Sequence, residues 1–279
     1  MAISVANIVP VIVPARSFRN DLRAVKIVWQ RDIIRFWADK PRIVASLIQP
    51  VLYLFVLGSG LSTMIPAGPG VSLRTFLFPG VISMSVLFTC FFSAGSLVWD
   101  REFGFMREML VAPVRRGAIV TGKCLGGATA GVLQGALLIA IGGLADIPYD
   151  PVLIATLLGE LMLLSFALTA FGVLVAVRIK SMQSFMAIIQ MLLMPLYFLS
   201  GALFPLNGLP GWLNVLTRID PLTYAVDPMR RAVFERLAVP VAGVSWGGTA
   251  VPVAAELGIV AALSVVALVV ATARFNRAD

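Results

Sequence analysis

Long apolar stretches alternate with short polar segments along this chain, and six of the stretches are long enough to cross a bilayer. A transmembrane helix needs about 20 predominantly apolar residues, whereas a transmembrane β-barrel would show segments of about ten residues with alternating polarity. No such alternation is visible, so the pattern predicts an all-α membrane protein with six transmembrane helices. The predicted spans are residues 43–64, 76–98, 118–144, 152–177, 182–204 and 250–273.

Composition and charge support this class. Of the 279 residues, 59% are hydrophobic and 13% are charged, against about 25% charged residues in soluble domains. The net charge of +8 does not indicate nucleic acid binding, because the basic residues flank the predicted spans. With the N-terminus in the cytoplasm, that side holds eight Lys and Arg in residues 1–42, five in 99–123, two in 178–181 and two after 273, or 17 of 22. The positive-inside rule therefore predicts a multi-pass protein of the plasma or inner membrane with both termini cytoplasmic.

Residues 1–42 form a predicted cytoplasmic segment ahead of the six-span domain, residues 43–279. An apolar stripe at helical spacing runs along the segment with arginines away from it, which indicates an amphipathic helix lying in the membrane interface. A helix that packs on a neighbouring soluble subunit is the alternative, and the two can both hold. The stripe comprises Phe18, Leu22, Val25, Trp29, Ile33 and Phe36, and the arginines are Arg19, Arg23, Arg31 and Arg35.

The segment between spans five and six, residues 205–249, is rich in both proline and apolar residues. Proline interrupts helices, so no long helix is expected there, yet the segment is too apolar for a solvated loop. Short re-entrant helices that dip into the outer leaflet satisfy both observations, and a compact extracellular cap is the alternative. The prolines are Pro205, Pro210, Pro221, Pro228 and Pro240.

A polar island, residues 100–117, separates spans two and three. Glu102, Met106 and Met109 recur in it at helical spacing, and Pro113 ends the predicted helix. An ordinary surface helix in a positively charged loop is one interpretation. The sharper hypothesis is a helix that docks in the cleft of a soluble partner and receives energy from it. The charged residues of the island are Asp100, Arg101, Glu102, Arg107, Glu108, Arg115 and Arg116.

We do not expect this chain to carry out bond chemistry or to bind a cofactor or metal. Residues 117–124 match the phosphate-loop spacing G-x-x-x-x-G-K, but Cys124 stands where Ser or Thr must bind magnesium, and the motif opens a span where a strand should precede it. The chain has no histidine, which excludes imidazole catalysis and the usual zinc sites. Cys90 and Cys124 are expected to be small buried hydrophobes.

Polar and small residues inside the predicted spans are the remaining candidates. Ionisable groups at membrane depth are costly and are therefore hypotheses for contact with substrate or a partner helix. Glycines every four residues let helices approach closely, and lining a substrate path is the alternative for them. The substrate-path candidates are Glu160, Glu256, Gln134 and Gln190, and the helix-packing candidates are Gly127, Gly131 and Gly135.

Three blocks of sequence resemble the ABC-2 family of ATP-binding-cassette exporter permeases. The first runs from Glu102 to Pro113 and on to Lys123, and is similar to the family's E-x-G-t-x-E-x-L-x-x-t-P segment. The second is residues 199–212, and the third, residues 220–230, is similar to the family's N-P-l-t-y-x-x-d-x-x-R. Their order among six spans resembles the family over nearly the whole chain, with the drug-exporter branch typified by the daunorubicin permease as the most similar. The positions that depart from the family pattern are Phe105, Ala112 and Asp220.

The resemblance implies a function and partners. The chain would be the permease of an exporter for an amphipathic compound, a drug or a lipid-like molecule, surrounded by membrane lipids. Two copies of a separate ABC ATPase would bind ATP and Mg, and a second permease copy, identical or similar, would complete the path. The implied coupling-helix residues are Asp100, Glu102, Gly104, Phe105, Glu108, Leu110 and Pro113. The implied outer-gate residues are Phe204, Pro205, Pro210, Trp212, Pro221, Tyr224 and Arg230.

Two other functions stay open at this point. Export of a lipid-linked polysaccharide or lipid would use the same machinery. A proton-coupled secondary carrier, from a different class, would need paired acids and bases within the membrane, often in repeated halves. Glu160 and Glu256 offer weak support for it, and no internal repeat is visible.

Overall fold

The computed structural model describes residues 17–60, 72–106, 109, 114–206, 208–241, 243–246 and 249–278. Its helices are α1 (Phe18–Ala38), α2 (Lys40–Leu52), α3 (Leu73–Ala94), α4 (Ser96–Glu102), α5 (Arg116–Ala140), α6 (Pro151–Ala176), α7 (Met182–Leu199), α8 (Gly211–Ile219), α9 (Thr223–Arg236) and α10 (Val253–Ala278). A π-helical turn (Tyr53–Leu57) and a short helical turn (Gly58–Gly60) extend α2, and a 3-10 turn (Gly142–Ala145) follows α5. The antiparallel strands β1 (Ser245–Trp246) and β2 (Thr249–Ala250) pair Ser245 with Ala250.

Within the described residues, six helical stretches are long and apolar enough to cross a membrane, which confirms the predicted all-α membrane fold. We number them spans 1 to 6. Span 2 combines α3 and α4, which follow each other almost without interruption. In chain order the spans are Lys40–Gly60, Leu73–Glu102, Arg116–Ala140, Pro151–Ala176, Met182–Leu199 and Val253–Arg277.

Several span ends differ from the boundaries that the sequence predicts, and two of these differences concern the polar island and the turn after span 5. Span 2 continues to Glu102, past the predicted end at residue 98, so the first residues of the polar island belong to this span. Span 5 ends at Leu199, before the predicted end at residue 204. Gly201 follows with a φ of 70°, a left-handed conformation of the kind that ends helices.

Spans 2 and 3 lie at the centre of the bundle. Span 3 packs against α1 and against spans 2, 4 and 6, and Leu87 and Phe91 of span 2 are fully buried. Glycines make this packing possible, because a Cβ at Gly127, Gly131 or Gly135 would come within 2.7 Å of a side chain of span 4. Spans 1, 5 and 6 leave most of their surfaces exposed.

The two ends of the bundle carry different structures. α1, the described residues of the polar island and the C-terminal end of span 6 share one end, which we call the α1 face. There Arg116 Nη1 donates to the Phe275 carbonyl oxygen at 3.1 Å. α8, α9 and the β-hairpin lie at the opposite face. α9 is largely buried, while α8 exposes apolar side chains such as Trp212 and Ile219.

Candidate functional site

A cluster of buried charges joins the start of the polar island to span 3 and α1. Lys123 Nζ lies 2.8 Å from Asp100 Oδ2 and 3.0 Å from Asp32 Oδ1, and it donates to Ser96 Oγ at 2.9 Å. Arg31 also donates to Asp100. Asp100 and Lys123 are each only 1% exposed, so salt in the solvent screens this pair little. The two carboxylates face the Lys123 ammonium and the Arg31 guanidinium, and a second guanidinium, that of Arg35, lies 4.0 Å from Asp100.

Two glycines of span 3 let α1 approach closely enough to form this cluster. A Cβ at Gly122 would lie 2.8 Å from Val28 Cβ, and one at Gly126 would lie 2.7 Å from Asp32 Cβ. Burial raises the pKa of Asp32 above its ordinary value, and the charge and hydrogen bond of Lys123 oppose that rise. The glycines and the lysine therefore act together: the glycines bring the acid close, and the lysine stabilises its charge.

The predicted apolar stripe of α1 divides between two environments. Trp29 faces span 3 and its Nε1 donates to Thr129 Oγ1 at 3.0 Å, whereas Phe18 is exposed. The most buried residues of the helix are two acids, Asp21 and Asp32. The face of α1 that packs on the bundle therefore carries two buried carboxylates. The apolar stripe in the sequence does not predict them.

Two charged residues at the start of the polar island bind the ends of neighbouring spans. Arg101 Nη1 donates to the carbonyl oxygen of Val177 at 2.8 Å, beyond the last turn of span 4. Glu102 Oε2 accepts from the backbone nitrogen of Met182, the first residue of span 5, at 2.8 Å. A cation at a helix C-terminus and an anion at an N-terminus are both favoured by the helix dipole. Residues 100–102 therefore connect span 2 to α1 and to spans 3, 4 and 5.

Three aromatic side chains on either side of these anchors in the sequence are exposed at the surface. Trp99, Phe103 and Phe105 are 41%, 60% and 51% exposed, and the rings of Trp99 and Phe103 lie 5.3 Å apart. We call these three residues the aromatic patch. α4 ends at Glu102, Gly104 has a φ of 83°, and helical conformation resumes at Phe105. The island is therefore not one continuous helix from residue 100, because the left-handed glycine interrupts it.

Of the seven predicted coupling residues, the structure describes four. Asp100 is buried in the ion cluster, Glu102 binds the start of span 5, and Gly104 forms the turn. The side chain of Phe105 is the member of this set best placed to touch a partner, and coupling itself stays a prediction. Those that lie outside the described residues are Glu108, Leu110 and Pro113.

Comparison with known proteins identifies the family to which this architecture belongs. The ABC-2 type transporter family matches residues 23–234, which include most of α1, the island and five of the six spans. The chain belongs to the ABC-2 type transporter family. Membrane subunits of this family are transport permeases, and their ATPase is a separate ABC subunit.

Named relatives extend over most of the permease. Nodulation protein J of Rhizobium leguminosarum bv. trifolii is 31% identical over 210 residues, 73% of this chain and 78% of that protein. Inner membrane transport permease YadH of Escherichia coli K12 is 28% identical over 211 residues, 74% of this chain and 81% of that protein. A ycf38 transport permease of Cyanophora paradoxa is 28% identical over 195 residues, 67% of this chain and 66% of that protein.

The predicted substrate-path residues of the permease do not form one site. Gln134 is buried between spans 2 and 3, where its Nε2 donates to Ser85 Oγ at 3.2 Å. Gln190 is exposed on span 5. Glu160 and Glu256 are both buried. Gln134 and Glu256 bind different partners, Ser85 and Arg231, so the four side chains do not share one hydrogen-bonded site.

Glu256 has a basic partner from the opposite face. Arg231 Nη2 lies 3.0 Å from Glu256 Oε1 and 2.6 Å from Asp227 Oδ2. The same Asp227 oxygen accepts from the backbone nitrogen of Val244 at 3.0 Å. Glu256 is fully buried inside the protein. Glu160 Oε2 has no hydrogen-bond partner among the described residues.

The predicted outer-gate residues occupy two environments at the opposite face. Tyr224 is buried, and its Oη donates to the Arg218 carbonyl oxygen at 2.7 Å. Arg230 is buried as well, donates to the Gly201 carbonyl oxygen at 2.7 Å and lies 4.2 Å from the Phe76 ring centroid. α9 is thereby fixed to the turn after span 5. The half-buried or exposed members are Phe204, Pro205, Pro210, Trp212 and Pro221.

Sequence reasoning missed the role of Lys123. It appeared only as the lysine of a failed phosphate-loop match, although a lysine inside a predicted span must find an acidic partner. The position of Lys123 inside a predicted span could have indicated an ion pair, and the acidic residues of α1 could have been considered as its partners. Trp99 and Phe103 were missed for a different reason: no periodicity distinguishes an exposed aromatic residue near a span end from an ordinary membrane anchor.

Proposed function

We propose that this chain is the membrane-spanning permease subunit of an ATP-driven exporter that moves an amphipathic, drug-like or lipid-like compound out of the cytoplasm or inner leaflet. The observation that carries the proposal is the aromatic patch at the α1 face. Two of its residues, Trp99 and Phe103, directly flank residues 100–102 in the sequence. Exposed aromatic residues in a cluster are typical of protein interfaces. Here they sit beside side chains that bind four other elements of the bundle.

This arrangement supports a mechanical role. In the proposed exporter, two ABC ATPase subunits bind ATP and Mg at the cytoplasmic side, which is the α1 face, and two permease copies enclose the path. Closure of the ATPase pair displaces the aromatic patch. Asp100, Arg101 and Glu102 pass that displacement to α1 and to spans 3, 4 and 5, because each is bound to one or more of them. Packed helices move as rigid bodies between discrete arrangements, which suits such transmission.

The experiment is capture of an ABC ATPase subunit, co-expressed from a neighbouring reading frame, by the purified permease. We expect the triple variant Trp99→Ala, Phe103→Ala, Phe105→Ala to lose most of the captured ATPase while still inserting in the membrane. Trp212→Ala is the matched control, because Trp212 is 67% exposed at the opposite face. Undiminished capture by the triple variant would refute the docking role of the patch.

Two alternatives are separated by transport assays in proteoliposomes. A lipid-linked polysaccharide exporter would show ATPase stimulation by the polysaccharide carrier lipid and none by amphipathic drugs. A proton-coupled carrier would transport without ATP when a proton gradient is imposed, and collapse of the gradient would stop it. For the exporter proposed here, transport follows ATP and persists after the gradient is collapsed.

A further inference from the structure

A cleft opens on the α1 face between α1 and spans 1, 2 and 5. It has two adjoining lobes of about 300 Å³ and 450 Å³, and both lobes have Arg42 and Phe92 in their walls. The smaller lobe is mainly apolar and is lined by side chains such as Pro50, Met84 and Phe88. The cleft therefore joins a charged mouth to an apolar interior.

The apolar lobe has the depth of one membrane leaflet. Its wall on span 1 runs from Arg42 to Pro50, which corresponds to about 12 Å at 1.5 Å per helical residue. Half of the hydrocarbon core is about 15 Å. A chain of methylene groups is thus the kind of ligand that could fill this lobe along its length.

Two arginines stand at the mouth, each over an aromatic ring. The Arg35 guanidinium carbon lies 5.6 Å from the Trp99 ring centroid, and that of Arg42 lies 5.1 Å from the Phe92 ring centroid. Stacking on a ring positions a guanidinium while leaving its edge N–H groups available to bind a phosphate or carboxylate. The mouth is therefore preorganised for an anion.

The acids around the mouth do not neutralise both arginines. Asp32 is bound to Lys123, and Asp100, 4.0 Å from Arg35, is already paired within the ion cluster. Asp39 remains, and its Oδ1 accepts from the backbone nitrogen at the start of span 1. One carboxylate for two guanidinium groups leaves a positive charge at the mouth.

We propose that this cleft binds an anionic amphiphile from the adjoining leaflet, with its acidic head at Arg35 and Arg42 and its apolar tail along Pro50 and Met84. The inference rests on the proposed function in one respect, since it names the class of compound that enters the exporter at the α1 face. The positive charge at the mouth favours an anionic head group, and the apolar lobe, about 12 Å long, favours an alkyl tail.

The test is lipid binding to the purified permease in detergent, measured by native mass spectrometry. The probes are phosphatidylglycerol, which is anionic, and phosphatidylcholine with the same tails. We expect phosphatidylglycerol to bind at least tenfold more tightly than phosphatidylcholine. The double variant Arg35→Gln, Arg42→Gln should lose at least tenfold in phosphatidylglycerol affinity. Ala45→Trp, which fills the apolar lobe and keeps both arginines, should weaken binding to a similar extent.

Arg74→Gln is the matched control. The Arg74 guanidinium carbon lies 5.3 Å from the Phe55 ring centroid in the same kind of contact, but at the opposite face. The Arg74→Gln variant should bind phosphatidylglycerol as tightly as the unmodified permease does. Glycerol phosphate, a head without a tail, should not displace the lipid at equal concentration.

Three results would overturn the proposal: equal affinity for the two lipids, equal losses in the Arg74 control and the double variant, or displacement by glycerol phosphate. The assay uses neither ATP nor an ATPase subunit. Intact lipid binding without ATP-driven transport would therefore count against the proposed function and not against this site.

Discussion

Lys123 Nζ lies 2.8 Å from Asp100 Oδ2, and this contact ties the end of span 2 to the start of span 3 inside the bundle. Both side chains are almost completely buried. A buried ion pair adds little net stability over an apolar pair, but loss of one partner leaves an unpaired charge. The main role of the pair is therefore to fix the position of the polar island against span 3, and its contribution to net stability is secondary.

We expect Lys123→Met to lower the free energy of unfolding by about 3–5 kcal/mol, the range for breaking a buried pair. Asp32 would then lose its ion-pair partner, while Asp100 would keep Arg31 and, at 4.0 Å, Arg35. Denaturant unfolding of the purified permease in detergent measures the loss. Lys26→Met is the control, because Lys26 is an exposed residue of α1 and such substitutions usually cost within about 0.5 kcal/mol. Equal losses in the two variants would show that the cluster is not structural.

A second prediction concerns the turn that presents the aromatic patch. Gly104 has a φ of 83° and open space around its Cβ position, so Gly104→Ala meets conformational strain of about 1–2 kcal/mol and no clash. We expect relaxation of this strain to shift Phe105 and reduce capture of the ATPase subunit. Gly104→Asn should retain more capture, because Asn tolerates left-handed backbone.

Gly208→Ala is the control for that experiment. Gly208 has a φ of 74° and equally open space around its Cβ position, but it lies at the opposite face. The same backbone strain there should leave ATPase capture unchanged. Loss of capture in this variant would mean that general destabilisation, and not the position of the patch, explains the Gly104 result.

The spans could be predicted because length and apolarity fix them locally, whereas the contacts of the site depend on distant partners. Asp32 and Lys123 are 91 positions apart, and no local pattern pairs them. The helical spacing of the island was visible, but a glycine at position 104 does not by itself reveal a left-handed φ. Arg231 could be assigned to the opposite face from charge distribution, while its two buried acidic partners depended on how α9 folds back against span 6.

Close packing of spans 3 and 4 leads to a third prediction. A Cβ at Gly131 would lie 2.6 Å from Cys90 Sγ and 2.7 Å from Ser165 Oγ. Gly131→Ala should therefore lower the free energy of unfolding by about 1–3 kcal/mol, as expected for overpacking. Gly159→Ala in span 4 is the control, because open space surrounds its Cβ position. There the change should be neutral or stabilising by up to about 1 kcal/mol, and similar losses in both would contradict the packing argument.

Asp220 predicts a pH dependence of stability. Burial raises the pKa of Asp220 to about 7 from its ordinary 3.8, although a hydrogen bond from the Leu222 backbone opposes the rise. Between these values the folded permease holds a proton that the unfolded chain has released, so stability falls as pH rises. This contribution is complete below about pH 4 and is lost as the pH rises through about 7.

Asp220→Asn should remove this dependence, since an amide oxygen can still accept the hydrogen bond that the Leu222 nitrogen donates to the carboxylate at 2.9 Å. Melting temperatures measured between about pH 5 and about pH 8 follow the effect, because that interval lies above the ordinary pKa of an aspartate. Asp39→Asn serves as the control, because Asp39 is exposed and makes a similar bond to the backbone of Arg42. If the melting temperature of the Asp220→Asn variant fell with pH as steeply as that of the unmodified permease, the assignment to Asp220 would be wrong.

The last prediction contrasts two arginines of α9. Arg231 lies between Asp227 and Glu256, both buried, whereas Arg236 pairs with Asp150 at 3.3 Å where both side chains are partly exposed. Arg231→Met should cost at least about 3 kcal/mol, because two buried carboxylates lose their shared cation. Arg236→Met should cost less than about 1 kcal/mol, the usual value of an exposed pair. Adding Glu256→Gln to Arg231→Met should restore part of the stability by removing one unpaired charge. If the double variant were less stable than Arg231→Met alone, charge pairing would not be what holds α9 against span 6.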